Sequence, residues 1–197
     1  MYDNVYKIAV NEGEVEYGCV SGNGKIVYIK AGMGGNFLGY EDKYLKIARG
    51  LNERFGCSVI CASNPCPLPI LADKMIIDEF LSRHKTCTAE LFFFGHSNGG
   101  VKGLELAASG VPFERMVLVN MPLMLNFHKT VQWINASPET NIVAVYGEKD
   151  SSYRYIPFLQ IKNFQNVEIV KIADADHNFK GMIKEFIVLA DKVMNEA

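Results

Sequence analysis

The sequence predicts an α/β protein: an eight-stranded, mostly parallel sheet with an antiparallel N-terminal hairpin and helices on both faces. Three observations favour this fold class. Two alternating apolar runs, 5–10 and 14–20, open the chain and are typical of a β-hairpin. After them, short apolar runs alternate with segments of helical periodicity. Those short runs are continuously apolar, as parallel strands covered on both faces require.

The first half of the chain supplies the hairpin, two further strands and two helices. A turn at 11–13 joins the hairpin, and an apolar run at 25–30 predicts the third strand. Apolar residues recur at helical spacing over 41–55, and a short buried strand is predicted at 58–62. The prolines of 64–70 exclude a regular element there. The next helix is predicted by an apolar stripe that comprises Ala72, Met75, Ile76, Phe80 and Leu81.

The second half continues the same alternation. Apolar runs predict strands at 91–94, 116–120, 141–146 and 167–172. A helix is expected at 98–109, and the closing helix has the apolar residues Met182, Ile183, Phe186, Ile187, Leu189, Ala190, Val193 and Met194. No repeat or linker interrupts the pattern, so we expect a single domain over 1–197. In such sheets the ligand binds beyond the carboxyl ends of the strands, so the chemistry is expected in the loops there.

The composition excludes several classes of partner. The 197 residues are 49% apolar and 21% charged, with a formal charge of −2. Because the charges are balanced and form no run, nucleic acid and anionic membrane surfaces are not expected partners. The most apolar stretch, 116–125, is too short to span a bilayer. A small molecule is the expected partner, and the oligomeric state stays open.

The cysteines indicate neither a disulfide framework nor a zinc site. Their count is odd, and no two are spaced as a Cys-x-x-Cys pair. Reduced thiols in the cytoplasm are the simplest interpretation. Asp3 and Lys7 near the N-terminus argue against a cleaved signal peptide. No His, Cys or carboxylate cluster has metal-ligand spacing, so we expect no metal and no cofactor. The five cysteines are Cys19, Cys57, Cys61, Cys66 and Cys87.

A candidate nucleophile lies between the strand at 91–94 and the helix at 98–109. Residues Gly95 to Gly99 form a Gly-x-Ser-x-Gly pattern with Ser97 at its centre. So tight a turn strains the backbone, and side chains two positions either side are expected to collide with the nucleophile unless they are glycine. The turn also exposes the Ser97 hydroxyl near the positive end of the next helix.

A serine hydroxyl needs a base within hydrogen-bond reach and a carboxylate to orient that base. His177 follows the strand at 167–172, and Asp150 follows the strand at 141–146. The order Ser97, Asp150, His177 is the one that this type of site uses. Three other carboxylates stay open as the orienting acid: Glu148, Asp174 and Asp176.

With these motifs the chain resembles the α/β-hydrolase fold superfamily over its whole length, as a small, lid-poor serine hydrolase similar to esterases. The resemblance implies that Ser97 is the nucleophile and that His177 is the general base and then the acid. It implies that Asp150 orients His177.

The resemblance also implies an oxyanion hole made of two backbone N–H groups. These belong to Asn98, directly after the nucleophile, and to Met33 in the loop after the third strand. The family often has a His-Gly pair in that loop, whereas this chain has Ala31 before Gly32. Since backbone groups donate the hydrogen bonds, this difference does not abolish the hole, and Gly34 is the alternative donor.

The segment 121–140 stands where large family members insert a lid, and we expect it to form only a minimal cap. Its apolar residues either wall a substrate pocket or pack on the sheet, and both interpretations stay open. Candidate pocket residues from this segment and its neighbouring loops are Gly34, Leu68, Met121, Leu123, Phe127, Trp133 and Tyr153.

The leading hypothesis is a serine hydrolase of carboxylesterase or thioesterase type. It would cleave a small or medium carboxylic ester or thioester through an acyl-enzyme on Ser97. The alternative is a non-catalytic protein on the same fold that binds a small molecule or signals through it. The serine, histidine and aspartate favour the hydrolase, because a binding protein needs no base.

Overall fold

Eight strands form one sheet in the part of the chain that the computed structural model describes, residues 1–10, 13–66, 70–84 and 89–195. Their order across the sheet is β1-β2-β4-β3-β5-β6-β7-β8. The strands are β1 (Asn4–Val10), β2 (Gly13–Val20), β3 (Asn23–Lys30), β4 (Cys57–Ala62), β5 (Glu90–His96), β6 (Phe113–Val119), β7 (Asn141–Gly147) and β8 (Val167–Ile172).

The sheet is mixed, as the sequence predicts. Strand β2 pairs antiparallel with β1 and with β4, and all other neighbours are parallel. Strands β1 and β8 are the two edges. Strands β4 to β7 are almost fully buried, which explains their continuously apolar sequences. The predicted fold class is therefore confirmed.

Helices cover both faces of the sheet. Helices α1 and α6 pack on one face, through residues such as Ile47 and Phe186. Helices α2 to α5 pack on the other face, through residues such as Ile76, Leu104 and Leu159. None of the helices within the described ranges is long and apolar enough to cross a bilayer. The helices are α1 (Lys43–Phe55), α2 (Ile70–His84), α3 (Asn98–Ala108), α4 (Leu123–Asn135), α5 (Ile156–Ile161) and α6 (Ile183–Leu189).

Three helical segments differ from the prediction. The helix expected over 41–55 begins at Lys43, because Glu41 and Asp42 have φ values of 51° and 56°. The closing helix ends at Leu189 and continues as a 3₁₀ turn over Ala190–Val193. Helix α5 is not predicted, since six residues are too few for a periodicity to be recognised.

A buried ion pair joins the end of β3 to the first turn of α2. The Lys30 ammonium donates to Asp73 Oδ1 at 2.5 Å and to the Ser63 carbonyl at 2.8 Å. The Tyr28 hydroxyl donates to the same Asp73 oxygen at 2.5 Å. Because both charged side chains are fully buried, each needs the other to offset the loss of water. The pair fixes the strand end from which the loop carrying Met33 begins.

We expect Asp73→Ala to lower the free energy of unfolding by about 3–5 kcal/mol, because Lys30 is left buried without its counter-charge. Urea denaturation measures the change. Asp78→Ala on the exposed face of the same helix is the control, with an expected change within about 0.5 kcal/mol. Equal effects of the two variants would contradict a structural role for the pair.

Candidate active site

Ser97 occupies a strained turn between β5 and α3. Its φ and ψ values are 55° and −125°, a combination that residues other than glycine rarely adopt. The Ser97 N–H donates to the Val119 carbonyl at 2.8 Å, which ties the turn to the end of β6. This hydrogen bond to the neighbouring strand helps to stabilise the strained conformation of Ser97.

The glycines that flank Ser97 are required by close backbone contacts. A Cβ atom on Gly99 would lie 2.3 Å from the Lys30 carbonyl oxygen. A Cβ atom on Gly95 would lie 2.7 Å from the Gly100 nitrogen. The closest backbone collisions would therefore be with the end of β3 and with the start of α3. Glycine lets the nucleophile turn pack directly against the strand that carries the Met33 loop.

Three side chains from three loops form one hydrogen-bonded chain. His177 Nε2 lies 2.9 Å from Ser97 Oγ, and His177 Nδ1 lies 2.5 Å from Asp150 Oδ2. Since a carboxylate only accepts, Nδ1–H donates to Asp150, and Nε2 is left to accept from the Ser97 hydroxyl. Asp150 is buried, and its second oxygen accepts from the Ser152 N–H at 2.7 Å. Its orientation is therefore fixed from both sides.

The other candidate acids have different partners. Asp174 is exposed and forms a 2.8 Å ion pair with Lys149, which lowers its pKa. Asp176 accepts from the N–H groups of Asn178 and Lys180, and these hydrogen bonds lower its pKa. Glu148 is exposed. Within the described residues, Asp150 is thus the only carboxylate in contact with the His177 ring.

Two backbone N–H groups without a protein acceptor in the described part of the chain belong to Asn98, directly after Ser97, and to Met33 in the loop after β3. Asn98 is the first residue of α3, where helical N–H groups lack partners within the helix. A Cβ atom on Gly32 would lie 3.4 Å from Ser97 Cβ, so the loop containing Met33 passes close to the nucleophile. Among the residues that the structure describes, neither the Asn98 nor the Met33 N–H donates to a protein acceptor. Gly34 donates to the Asn64 carbonyl at 2.8 Å, so its N–H is already used.

Asn64 is a site residue that the sequence analysis did not identify. Its buried side chain donates to the Ala31 carbonyl at 2.9 Å and to the side chain of Asn98 at 3.1 Å. Its backbone also exchanges hydrogen bonds with the segment at 34–35. Asn64 therefore holds the loop after β3 against the start of α3.

Asn120 is the second residue that the sequence analysis missed. It is fully buried at the end of β6 with a φ of 49°, and its Nδ2 donates to the carbonyls of Asp176 and His177, each at 3.0 Å. Its Oδ1 accepts from the Gly147 N–H at 2.8 Å. One side chain thus joins the ends of β6 and β7 to the histidine loop. The sequence offers only a weak signal for it, an asparagine directly after a buried strand.

His96 also holds the loop that carries His177. Its Nε2 donates to the His177 carbonyl at 2.8 Å, and its ring packs edge-on against Phe186 at 5.3 Å between centroids. Burial lowers the pKa of His96 to about 3, so the ring stays neutral. His96 therefore acts as a fixed hydrogen-bond donor.

The predicted substrate pocket needs correction. Met121 and Leu123 are fully buried in the core against α3 and the sheet, so neither offers surface to a ligand. Phe127, Trp133 and Tyr153 are half-buried and pack on the same core, Phe127 with its ring against Phe158.

Two predicted pocket residues remain, Gly34 and Leu68. Gly34 borders a shallow cleft with Asn36 and Pro65. Leu68 lies outside the described residues. A different cleft, which the sequence did not indicate, flanks His177 between residues 40–43 and 176–183.

Within the described ranges, no three His, Cys, Asp or Glu side chains are placed to hold a metal ion.

Comparison with known proteins identifies the fold. No family model matches the chain, and no curated protein matches its sequence significantly. An alpha-beta serine hydrolase homologue from Coxiella burnetii is similar in structure, with a TM-score of 0.70 at 18% identity over 98% of each chain. A serine hydrolase without a lid from Xanthomonas campestris has a TM-score of 0.67 at 13% identity, covering 98% of this chain and 94% of that one.

A third similar structure is Est1E from Butyrivibrio proteoclasticus, solved with ferulic acid bound. Its TM-score is 0.71 at 13% identity, and the match covers 96% of this chain and 97% of that one. At such identities the likeness concerns the fold. The chain therefore has the α/β-hydrolase fold, and the predicted superfamily fold is confirmed.

We expect Asn120→Ala to slow the reaction of Ser97 with a fluorophosphonate probe by about 10- to 100-fold, because His177 loses the side chain that positions its loop. Time-resolved intact mass spectrometry measures the rate.

Asn166→Ala is the matched control. Asn166 Nδ2 also donates to two carbonyls, of Ser137 and Thr140, each at 3.0 Å. These residues lie where β7 and β8 begin, at the opposite end of the strands from Ser97. We expect a comparable loss of stability and an unchanged labelling rate. A similar slowing in both variants would show that Asn120 acts through stability alone.

Proposed function

We propose that this protein is a serine hydrolase that cleaves small or medium carboxylic esters or thioesters through an acyl-enzyme on Ser97. The observation that carries the proposal is the hydrogen-bonded chain from Ser97 through His177 to the buried Asp150. A non-catalytic binding protein has no need for a base aligned on a strained serine. The similar structures from Coxiella burnetii and Xanthomonas campestris, both serine hydrolases by name, support the same class.

In the first half of the proposed reaction, Ser97 Oγ attacks the substrate carbonyl carbon while its proton passes to His177 Nε2. The carbonyl oxygen becomes an oxyanion that accepts hydrogen bonds from the Asn98 and Met33 N–H groups. Asp150 stabilises the imidazolium that has formed. His177 then gives its proton to the leaving alcohol or thiol, and the acyl group stays on Ser97.

In the second half, water attacks the acyl-enzyme and His177 Nε2 accepts its proton. Collapse of the second tetrahedral intermediate returns the proton to Ser97 and releases the carboxylic acid. The His177 side chain is 42% exposed, so water has direct access to the base.

The proposal includes a minimal cap and a single domain over 1–197. Between β6 and β7 the described chain has one helix, α4, and this supports a cap confined to 121–140. We also propose a cytoplasmic location, which is supported by the free thiols of the described cysteines Cys19, Cys57, Cys61 and Cys66.

We expect a fluorophosphonate probe to label the native chain once, at Ser97, and to label neither Ser97→Ala nor His177→Ala, since both an oxygen and a base are needed. Intact mass and peptide mapping give the stoichiometry and the site. Ser151→Ala, an exposed serine near Asp150, is the control and keeps full labelling. A folded native chain that is not labelled would favour the non-catalytic alternative.

Asp150→Asn is expected to lower kcat/KM for a p-nitrophenyl ester by on the order of 10⁴, because the amide favours the wrong tautomer of His177. Asp174→Asn removes a carboxylate from a neighbouring loop without touching His177, and we expect it to be silent. The opposite pattern would make Asp174 the orienting acid.

A further inference from the structure

A cleft of about 580 Å³ lies between the start of α1 and the loop that carries His177. Residues 40–43, which lead into α1, form one wall. The other wall comes from the loop after β8 and includes Asp176 and Asn178, the two neighbours of His177. Both segments follow strands of the parallel part of the sheet, β3 and β8. The cleft therefore opens at the carboxyl ends of the strands, as does the turn that carries Ser97.

Lys43 lines this cleft without a counter-charge. The residue is only 7% exposed, and its Nζ lies 4.1 Å from the centre of the Phe186 ring. Within the described residues, Lys43 forms neither an ion pair nor a conventional hydrogen bond, and its Nζ contacts the rings of Phe186 and Tyr44. A lysine side chain this buried usually has a charged partner, because its ammonium gives up part of its hydration.

The aromatic contacts offset only part of that loss. The rings of Phe186 and Tyr44 attract the charge, but neither accepts a conventional hydrogen bond. Burial lowers the pKa of Lys43 to about 8, so at pH 7 the group is still mainly charged. The charge of Lys43 also lowers the pKa of His96, so the two side chains are close enough to interact electrostatically. His96 in turn donates to the loop that carries His177.

The acidic side chains of the cleft do not neutralise Lys43. Asp176 is held by two backbone N–H groups of its own loop, at 3.0 and 2.9 Å. Glu41 is exposed and hydrogen-bonded to the Tyr40 hydroxyl, whose pKa it raises. Lys180 also lines the cleft and lowers the pKa of Asp176 by its charge. The lining therefore has two acids and two lysines, and among the described residues Lys43 is the lysine of this cleft with no acid as a direct partner.

We propose that this cleft is a carboxylate subsite of the same active site, in which Lys43 binds the anionic end of the substrate remote from the reacting carbonyl. One ammonium without a direct ion-pair partner suits a monoanion such as a carboxylate better than a phosphate dianion. The inference rests on the proposed hydrolase function and names its substrate class: esters or thioesters whose acyl chain ends in a free carboxylate.

The test compares p-nitrophenyl monoesters of adipic, suberic and sebacic acid with p-nitrophenyl esters of neutral acids of the same length. We expect the native chain to prefer the carboxylate ester at least 10-fold in kcat/KM at one or more lengths, mainly through a lower KM. Lys43→Met removes the charge at nearly the same volume and abolishes the preference. Lys43→Arg restores at least part of it.

Lys46→Met is the matched control, because Lys46 is an exposed lysine one turn further along the same helix. We expect it to keep both the activity and the preference. Two results would overturn the subsite: no preference for the charged ester at any length, or a preference that survives in folded Lys43→Met. If Lys43→Met fails to fold, Lys43→Gln serves as the second neutral variant.

A binding experiment separates failure of the subsite from failure of the hydrolase assignment. Calorimetry with full-length Ser97→Ala compares monomethyl adipate with dimethyl adipate, so no turnover is needed. We expect the monoanion to bind at least 10-fold more tightly, and the added Lys43→Met to remove the difference. A native chain that is not labelled by fluorophosphonate but shows this difference would lose the hydrolase function and keep the subsite. Equal binding of the two esters would overturn the subsite.

Discussion

The loop after β8 has to carry His177 back across the ends of β7 and β6 to reach Ser97 at the end of β5. With neighbouring strands about 4.8 Å apart, that span is roughly 14 Å. A free loop of this length has many conformations, and only a few put the imidazole within hydrogen-bond distance of a serine. The rest of the site is organised around holding this one loop in place.

Three buried side chains hold this loop. Asn120 and His96 donate to backbone carbonyls of the loop, and Asp150 accepts from the His177 ring. All three are buried, so their hydrogen bonds do not compete with bulk water. Strain is placed at the same strand ends, since Ser97 and Asn120 both have positive φ values. The strand ladders beneath them hold these conformations.

Features of this chain could be predicted from the sequence where a structure requires one type of residue or one regular spacing of apolar residues. The buried strands are recognisable because both of their faces must be apolar, and the strained turn at Ser97 is recognisable because glycines have to flank it. Asn64 and Asn120 were missed because a side chain that binds backbone carbonyls of distant loops leaves no periodic trace. Met121 and Leu123 were candidates for either a pocket wall or the core, since the sequence of an apolar residue is the same whether it faces a ligand or the core. Lys43 carries no motif, and only its burial without a partner makes it conspicuous.

The two edges of the sheet bear on how copies of this chain can meet. An edge strand offers unpaired N–H and C=O groups on which another molecule can build, and such growth leads to aggregates. Lys7 on β1 is exposed and forms ion pairs with Glu14 and Glu16 of β2, while β8 has Glu168 and Lys171 exposed. An incoming strand would have to bury these charges. Extension of the sheet from one molecule to the next is therefore disfavoured at both edges. A few charged side chains thus oppose the edge-to-edge association that leads open sheets to form fibrils.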